Sequence, residues 1–480
     1  INGTPGHINH HVLTDILRGE LGFQGFAVSD WEDIKKLVTQ WRVAANEKEA
    51  TRMAVLAGID MSMVPSDYSF ADLMKQLVSE GAIPQARVDE AVRRILRVKF
   101  DLGLFDRSPV DPALLANIGR PEARQLSLQA ARESLTLLQN VHNLLPLAKD
   151  RKVFVTGPTA DSLVSLNNGW TYVWQGSEAS LYPKDRPTIL GAIRAKLGAG
   201  NVTYVPGVRS AADTPNNRPT DTSEENDIQA AVRAARDADA IVLCLGEASY
   251  AETPGNITDL TLSEPQLKLA AAIEATGKPV VLVLVEGRPR VISRIADGAQ
   301  AILMAYNPSN EGGQAIADVL FGDYNPGGKL PFTYPRSPDS LLAYDHKAFE
   351  DESTSFGLTA FSPQFEFGQG LSYTTFAYSD LRVGQPVLRA DGEMPVSVTV
   401  KNTGTRAGDE TIILYVRDLV ASLAPPGKRV RRFAKVHLEP GESRTLMFHL
   451  RTDDLAFVNA DNRTVTEPGD FDVLVGGLTA

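Results

Sequence analysis

The sequence predicts a multidomain α/β chain: the C-terminal remnant of a (β/α)8 barrel, a doubly wound α/β sandwich domain, and a fibronectin type III-like β-sandwich. Three observations predict it. Residues 1–105 alternate short apolar strands with amphipathic helices, the order that yields parallel sheets. Residues 125–345 carry five stretches that read as successive buried strands, with helical patterns between them, a doubly wound signature. From Phe376 to residue 480 the hydrophobic period drops to two, with turn signals between the runs, as in an antiparallel sandwich of roughly 100 residues.

The elements follow in order. His11–Leu21 reads as an amphipathic helix, Phe23–Ser29 as a strand and Glu47–Ala57 as a helix. Gly58–Val64 reads as a second strand, and Phe70–Ser79 and Val88–Leu102 as helices. Two strands cannot close a barrel, so the barrel reading expects this chain to be one piece of a longer polypeptide. Pro109, Pro112 and Pro121 mark residues 106–124 as a linker. Helix Glu122–Asn140 opens the next domain. Lys152–Gly157, Asn201–Pro206, Ala240–Gly246, Pro279–Glu286 and Ala301–Tyr306 are the buried strands. Thr188–Leu197, Ile228–Asp237, Glu264–Ala275 and Gly312–Phe321 are the helices between them. Gly207–Asp227, rich in polar and turn residues, reads as a long surface insertion. In the sandwich, Val396–Val400, Thr411–Val416, Arg444–Leu450 and Asp470–Val475 alternate apolar and polar residues.

Composition narrows function. The net charge of -11 argues against nucleic acid, which demands clustered cations. The run Gly427–Arg432 is local and reads as a solvated strand–turn surface. No apolar run reaches the roughly 18 residues of a membrane-spanning helix. A single cysteine, Cys244, lies inside an apolar strand and cannot form an internal disulfide. The chain starts at Ile1 with no signal peptide, so targeting information is not present in it.

Three stretches carry candidate chemistry. In Gly22–Trp31 an apolar strand stops at Asp30, a compact nucleophile or base, followed by Trp31, a platform for a sugar face. Polar groups at carboxyl ends of strands are typical of barrel active sites. The alternative is a helix-capping aspartate. Glu247 directly follows the strand Ala240–Leu245 and is placed like Asp30; the alternative is a surface acid, and Glu252 and Glu264 compete with it. Glu264 is better explained as a first-turn residue of its helix. Asn167–Gly176 places Trp170 and Trp174 in a loop, where they serve either as a buried anchor or as the wall of a sugar pocket. Two carboxylates on separate loops suit an acid and a nucleophile flanking a glycosidic bond. His7, His10 and His11 lack metal-ligand spacing. Phosphate-binding glycine loops and a Gly-x-Ser-x-Gly elbow are missing from the sequence.

These motifs, in this order, resemble glycoside hydrolase family 3 over nearly all 480 residues. Leu17–Phe26 with Val28-Ser29-Asp30-Trp31 resembles that family's nucleophile signature, which implies Asp30 as nucleophile and Trp31 lining the sugar subsite. Gly58–Met63 is similar to its eighth barrel strand, with Met63 near the ring. Asn168-Gly169-Trp170 is similar to a tryptophan clamp and implies Trp170 as the contact. Gly246-Glu247 with Tyr250-Ala251-Glu252 resembles the acid/base loop of two-domain glucan exohydrolases and implies Glu247 as general acid/base. Asn310–Pro331 and Phe367–Phe376 are similar to three-domain β-glucosidases. Lys36 departs from the arginine that glucan exohydrolases carry there, and a lysine cannot supply a bidentate fork.

The resemblance implies a retaining, exo-acting β-glucosidase working on terminal β-D-glucosyl residues of gluco-oligosaccharides or β-glucans. It implies no cofactor and no catalytic metal, no nucleic acid partner, no membrane insertion, and a periplasmic or secreted setting; a homodimer is left open. The alternatives are a β-xylosidase or other exo-glycosidase of the same family, and a non-catalytic carbohydrate-binding fragment.

Overall fold

The computed structural model describes residues 1–106, 111–211, 220–222, 225–338, 340, 343–347, 350 and 361–480. Pro109 of the linker and residues 212–219 and 223–224 of the polar insertion therefore lie outside the described residues. The chain forms two compact units, Ile1–Ile118 and Gly119–Ala480.

In the first unit, strands Val28–Trp31 and Met61–Met63 pair in parallel, with Trp31 beside Met63. The predicted strand Phe23–Ser29 is thus shorter and later: residues 22–27 form a loop, and Asp30 and Trp31 lie inside the ladder. Gly22 adopts φ 64° there, which an extended strand does not accommodate. His11–Glu20 is helical, wound in the wide π form. Glu47–Ala57 is capped by Asn46, whose side chain accepts from the Glu49 N–H. Helices Ser69–Ser79 and Gln85–Asp101 follow.

A buried ion triad ties these elements together. The side chain of Asp60 is fully buried and accepts from Arg18 Nη2 at 2.5 Å and Arg87 Nη2 at 2.9 Å. It also accepts from the Ala27 N–H at 2.9 Å, directly before the first strand. Arg18 reaches the carbonyls of Gly25 and Gly58, and Arg87 those of Val55 and Ile59. Removing the shared carboxylate strands two poorly hydrated cations. We expect Asp60→Asn to destabilise this unit by about 3–5 kcal/mol, the usual cost of breaking a buried pair, read by denaturant unfolding of the full-length protein.

In the second unit, a six-stranded sheet runs in the order Thr136–Asn140, Ala301–Met304, Val280–Val285, Ala240–Gly246, Val153–Thr156, Val202–Tyr204. The last five are mutually parallel; Thr136–Asn140 is antiparallel. Every residue of the four central strands is buried, which explains their apolar sequences. Helices Pro121–Ser134, Ile189–Leu197 and Gly312–Leu320 pack together, and Glu225–Ala235 packs with Glu264–Glu274, in line with two separate apolar cores.

The predicted helix Glu122–Asn140 is corrected by this arrangement. The helix stops at Ser134, and Thr136–Asn140 is the antiparallel edge strand. Leu135 and Leu137 enter one core and Leu138 the other, so burial on both faces overrides the helical pattern. The polar insertion also ends earlier than expected, because Glu225–Ala235 is already helical.

Sheets Phe376–Val383/Glu393–Asn402/Ser443–Arg451 and Arg429–Leu438/Gly408–Asp418/Phe471–Val475/Leu478–Thr479 make the sandwich. Met394, Val396, Val398 and Val400 point inward from one sheet, and Ile412, Leu414 and Val416 from the other. Glu410, also buried, accepts from Tyr378 Oη at 2.7 Å and pairs with Lys329 at 3.3 Å, pinning the sandwich to the α/β domain.

Candidate active site

Each group of candidate residues is built by its own unit. In the first, Asp30 is exposed near the carboxyl end of Val28–Trp31, and its Oδ1 accepts from the Trp31 N–H at 2.6 Å. The buried Ser29 hydroxyl accepts from the Met63 N–H at 3.0 Å, locking the two strand ends in register. Trp31 is 57% exposed and Met63 is exposed too. The end of this strand pair thus carries an exposed carboxylate and two exposed apolar side chains. His7, Asp33 and Lys36 gather nearby: Lys36 pairs with Asp33 at 2.8 Å, and burial lowers the His7 pKa.

In the second unit the topology itself marks a crevice. From Val153–Thr156 the chain moves outward to Val202–Tyr204, then returns to the opposite side at Ala240–Gly246. Strand order reverses between Val153–Thr156 and Ala240–Gly246, where ligands meet doubly wound sheets. The segments leaving these two strands lead to the Asn168–Gly176 loop and the Glu247–Asn256 loop. Asn168, Trp170 and Tyr172 all take positive φ (69°, 58° and 61°). Trp170 is 69% exposed, and Tyr172 and Trp174 are exposed as well. Side chains this exposed are not a buried core anchor.

The two loops are stitched to each other. Asn168 Oδ1 accepts from the Tyr250 N–H at 2.8 Å, and Gln175 pairs with both backbone groups of Ala251 at 3.0 Å. Glycine is required where they touch, since a Cβ on Gly169 would sit 2.2 Å from the Tyr250 carbonyl oxygen. Gly246 is equally constrained: φ is 149°, and a Cβ would lie 1.8 Å from the Val285 oxygen.

Glu247 follows Gly246, and its carboxylate is only 10% exposed. Oε1 accepts from Arg288 Nε at 2.9 Å and Arg290 Nη1 at 3.3 Å, while Oε2 accepts from Tyr250 Oη at 3.2 Å. Arg288 stacks 4.2 Å from the Tyr250 ring centre. Burial, then the nearby Glu247 charge, push the Tyr250 hydroxyl up to about 12, so it remains a donor. Glu252, five residues on, differs sharply. It is exposed, its side chain makes no hydrogen bond among the described residues, and its backbone takes φ 53°, ψ -143°. Glu264 pairs with Arg294 at 2.8 Å at the start of its helix.

Sequence reasoning missed Arg288 and Arg290, although two arginines just past the buried strand Val280–Val285 were a legible signal. It also missed Glu286, fully buried at that strand's end. Tyr334 Oη lies 2.7 Å from both Glu286 Oε1 and the Arg290 carbonyl. One phenolic proton cannot serve two acceptors, so a protonated Glu286 completes the chain. Burial agrees, pushing this carboxyl up to about 8. Between its unfolded pKa of roughly 4.3 and about 8, the folded state holds a proton that the unfolded chain releases. Its contribution to stability therefore falls as pH rises through that window. Glu286→Gln should accordingly gain stability relative to the parent as pH goes from 5 to 8, measured by thermal unfolding across pH; a difference independent of pH would refute the neutral carboxyl.

Among the described residues no cluster of His, Cys, Asp and Glu could hold a metal, and no helix is long and apolar enough to cross a membrane.

The Glycosyl hydrolase family 3 N terminal domain model matches residues 1–98, and the family's C-terminal domain model matches residues 135–373. The chain belongs to glycosyl hydrolase family 3. A Fibronectin type III-like domain model matches residues 410–479 of this family 3 chain. It is 39% identical to a lysosomal beta glucosidase of Dictyostelium discoideum, covering 99% of this chain and 58% of that protein. It is 36% identical to a periplasmic beta-glucosidase of Salmonella typhimurium (99% and 65%) and to a beta-xylosidase of Formosa agariphila (99% and 66%). A solved beta-glucosidase involved in saponin metabolism from intestinal bacteria shares 32% identity at TM-score 0.86, covering 99% of this chain and 68% of that one. The chain thus spans about three fifths to two thirds of the length of the curated relatives it matches.

Proposed function

We propose that the full-length protein is a retaining, exo-acting β-glucosidase in which Asp30 is the nucleophile. The observation that carries this reading is the exposed carboxylate of Asp30 near the end of Val28–Trp31, next in sequence to the exposed Trp31, whose register partner is the exposed Met63. In the proposed cycle Asp30 attacks the anomeric carbon and the glycosidic bond breaks, while a glutamic acid protonates the departing oxygen. A glycosyl-aspartate forms. The same glutamate, now ionised, takes a proton from water, which releases β-glucose with its configuration kept. The scheme requires the two carboxyl groups about 5–5.5 Å apart during catalysis. Trp170, exposed on its loop, is the proposed contact for the sugar or its aglycone.

The sequence pattern implies Glu247 as the acid/base; its surroundings favour another part. A proton donor needs an oxygen free to carry a proton toward the leaving group. Both Glu247 oxygens are already occupied by two guanidinium groups and a phenol. Glu252 has an unoccupied, exposed carboxyl on a strained backbone of the same loop, the combination expected of a reacting group. We therefore assign proton transfer to Glu252 and give Glu247 the role of anchoring the loop through Arg288, Arg290 and Tyr250.

Proton NMR of the first product formed from cellobiose tests the stereochemistry: β-glucose appearing before its mutarotation is the expected result, and α-glucose would reject the scheme. The likeness to a beta-xylosidase keeps xylose as the second reading for the glycone. Nitrophenyl glucoside, xyloside, arabinofuranoside and N-acetylglucosaminide assayed side by side decide the sugar. Glucose binding without turnover of any of them would place the protein among non-catalytic carbohydrate binders.

A further inference from the structure

We propose that Gln175 is a positioning residue that sets the proton-donating geometry of the enzyme by templating the backbone that presents Glu252. The inference rests on the assignment of Glu252 as acid/base. Gln175 is 4% exposed, and its side-chain amide makes a two-point clamp on one residue. Nε2 donates to the Ala251 carbonyl and Oε1 accepts from the Ala251 N–H, each at 3.0 Å. That carbonyl belongs to the peptide bond that enters Glu252. Fixing its plane fixes the starting point from which the Glu252 side chain departs.

The clamp answers a specific problem. Glu252 takes φ 53° and ψ -143°, a region that residues with a side chain avoid and leave when nothing restrains them. Downstream, the short turn Thr253–Gly255 holds it, through the Gly255 N–H to the Glu252 carbonyl at 2.8 Å and the Asn256 N–H to the Thr253 carbonyl at 3.0 Å. On the upstream side the other loop holds the backbone, Asn168 through the Tyr250 N–H and Gln175 through both backbone groups of Ala251, while Glu247 and Arg288 hold the Tyr250 side chain. Gln175 is in turn seated beside Gly176, whose carbonyl accepts from the buried Tyr182 hydroxyl at 2.7 Å. The same loop displays Trp170, with the Trp170 N–H bonded to the Trp174 carbonyl at 2.8 Å. The aromatic wall and the carboxyl therefore form one mechanical piece. An aglycone that seats on the wall is placed at a fixed offset from the proton it needs.

The test uses leaving-group dependence in the full-length protein, which a merely structural role does not alter. Gln175→Met keeps the volume and removes both hydrogen bonds; Gln175→Asn keeps the amide but falls one methylene short. kcat/KM is measured on cellobiose or an alkyl glucoside, whose departing oxygen must be protonated, and on dinitrophenyl glucoside, whose leaving group departs without help. The expected result is a loss of about 10²-fold on the first kind, the scale of a misplaced catalytic group, with less than about a threefold loss on the second. Turnover of the activated substrate also certifies that the variant is folded. Parallel loss on both substrates in the two variants, or no loss on either, overturns the proposal. Glu252→Gln is run alongside. If it lacks the leaving-group signature, the acid/base assignment has failed; if it shows the signature and the Gln175 variants do not, the positioning role alone has failed.

Discussion

Asp30→Ala in the full-length protein is expected to lower kcat/KM for every glucoside by on the order of 10⁴-fold or more, the scale seen when an enzyme loses its nucleophile. The loss should be independent of leaving group, because no covalent intermediate can form however easily the aglycone departs. Added azide should restore turnover by entering the space vacated by the carboxylate and attacking from the same face. One inversion then replaces two, so the product is α-glucosyl azide. Recovery of the β-azide would place the missing group on the other side of the sugar and refute the nucleophile assignment. The substitution should leave the fold intact, since Asp30 is exposed and, among the described residues, its side chain bonds only the adjacent Trp31 N–H.

Glu252→Gln is expected to lose about 10²–10⁴-fold in kcat/KM on unactivated glucosides, the usual worth of positioned acid–base assistance. On dinitrophenyl glucoside the first step should be nearly spared, while release of the glycosyl-enzyme slows because no base activates water. Azide should then accelerate turnover and give β-glucosyl azide, the opposite anomer to that expected from Asp30→Ala. Glu247→Gln provides the contrast. It weakens the contacts to Arg288 and Arg290, so loss should fall on all substrates alike and be accompanied by lower thermal stability. If instead Glu247→Gln gives the leaving-group signature and the β-azide, the two glutamates exchange roles.

Much of the fold could be read from residue order because the relevant signals are local. Val280–Val285 and Ala240–Gly246 are apolar on both faces, which only a sheet covered by helices on both sides accommodates. The alternation at Val396, Val398 and Val400 is as plain. Thr136–Asn140 failed because its two-sided burial depends on Ala301–Met304, more than 160 positions away, while the preceding helix masks its start. The site divides the same way. Asp30, Trp31 and Trp170 stand out by residue type and position alone. The proposed distinction between Glu247 and Glu252 does not, since it rests on contacts from Arg288 and Arg290, 41 and 43 residues downstream of Glu247. Gln175 gave no signal, because its partner Ala251 is engaged through the backbone across 76 residues and carries no chemistry of its own.

The amide pairing between the 168–176 and 247–256 segments has a consequence for how this architecture can be altered. Exchanging either segment alone would leave both main-chain groups of Ala251, or the side-chain amide of Gln175, without these partners in a buried position and would cost the Tyr250 N–H its bond to Asn168. Chimaeras meant to broaden the range of accepted alcohols should therefore transplant both segments from one donor. A lineage that lengthens one is under pressure to remodel its companion in the same step.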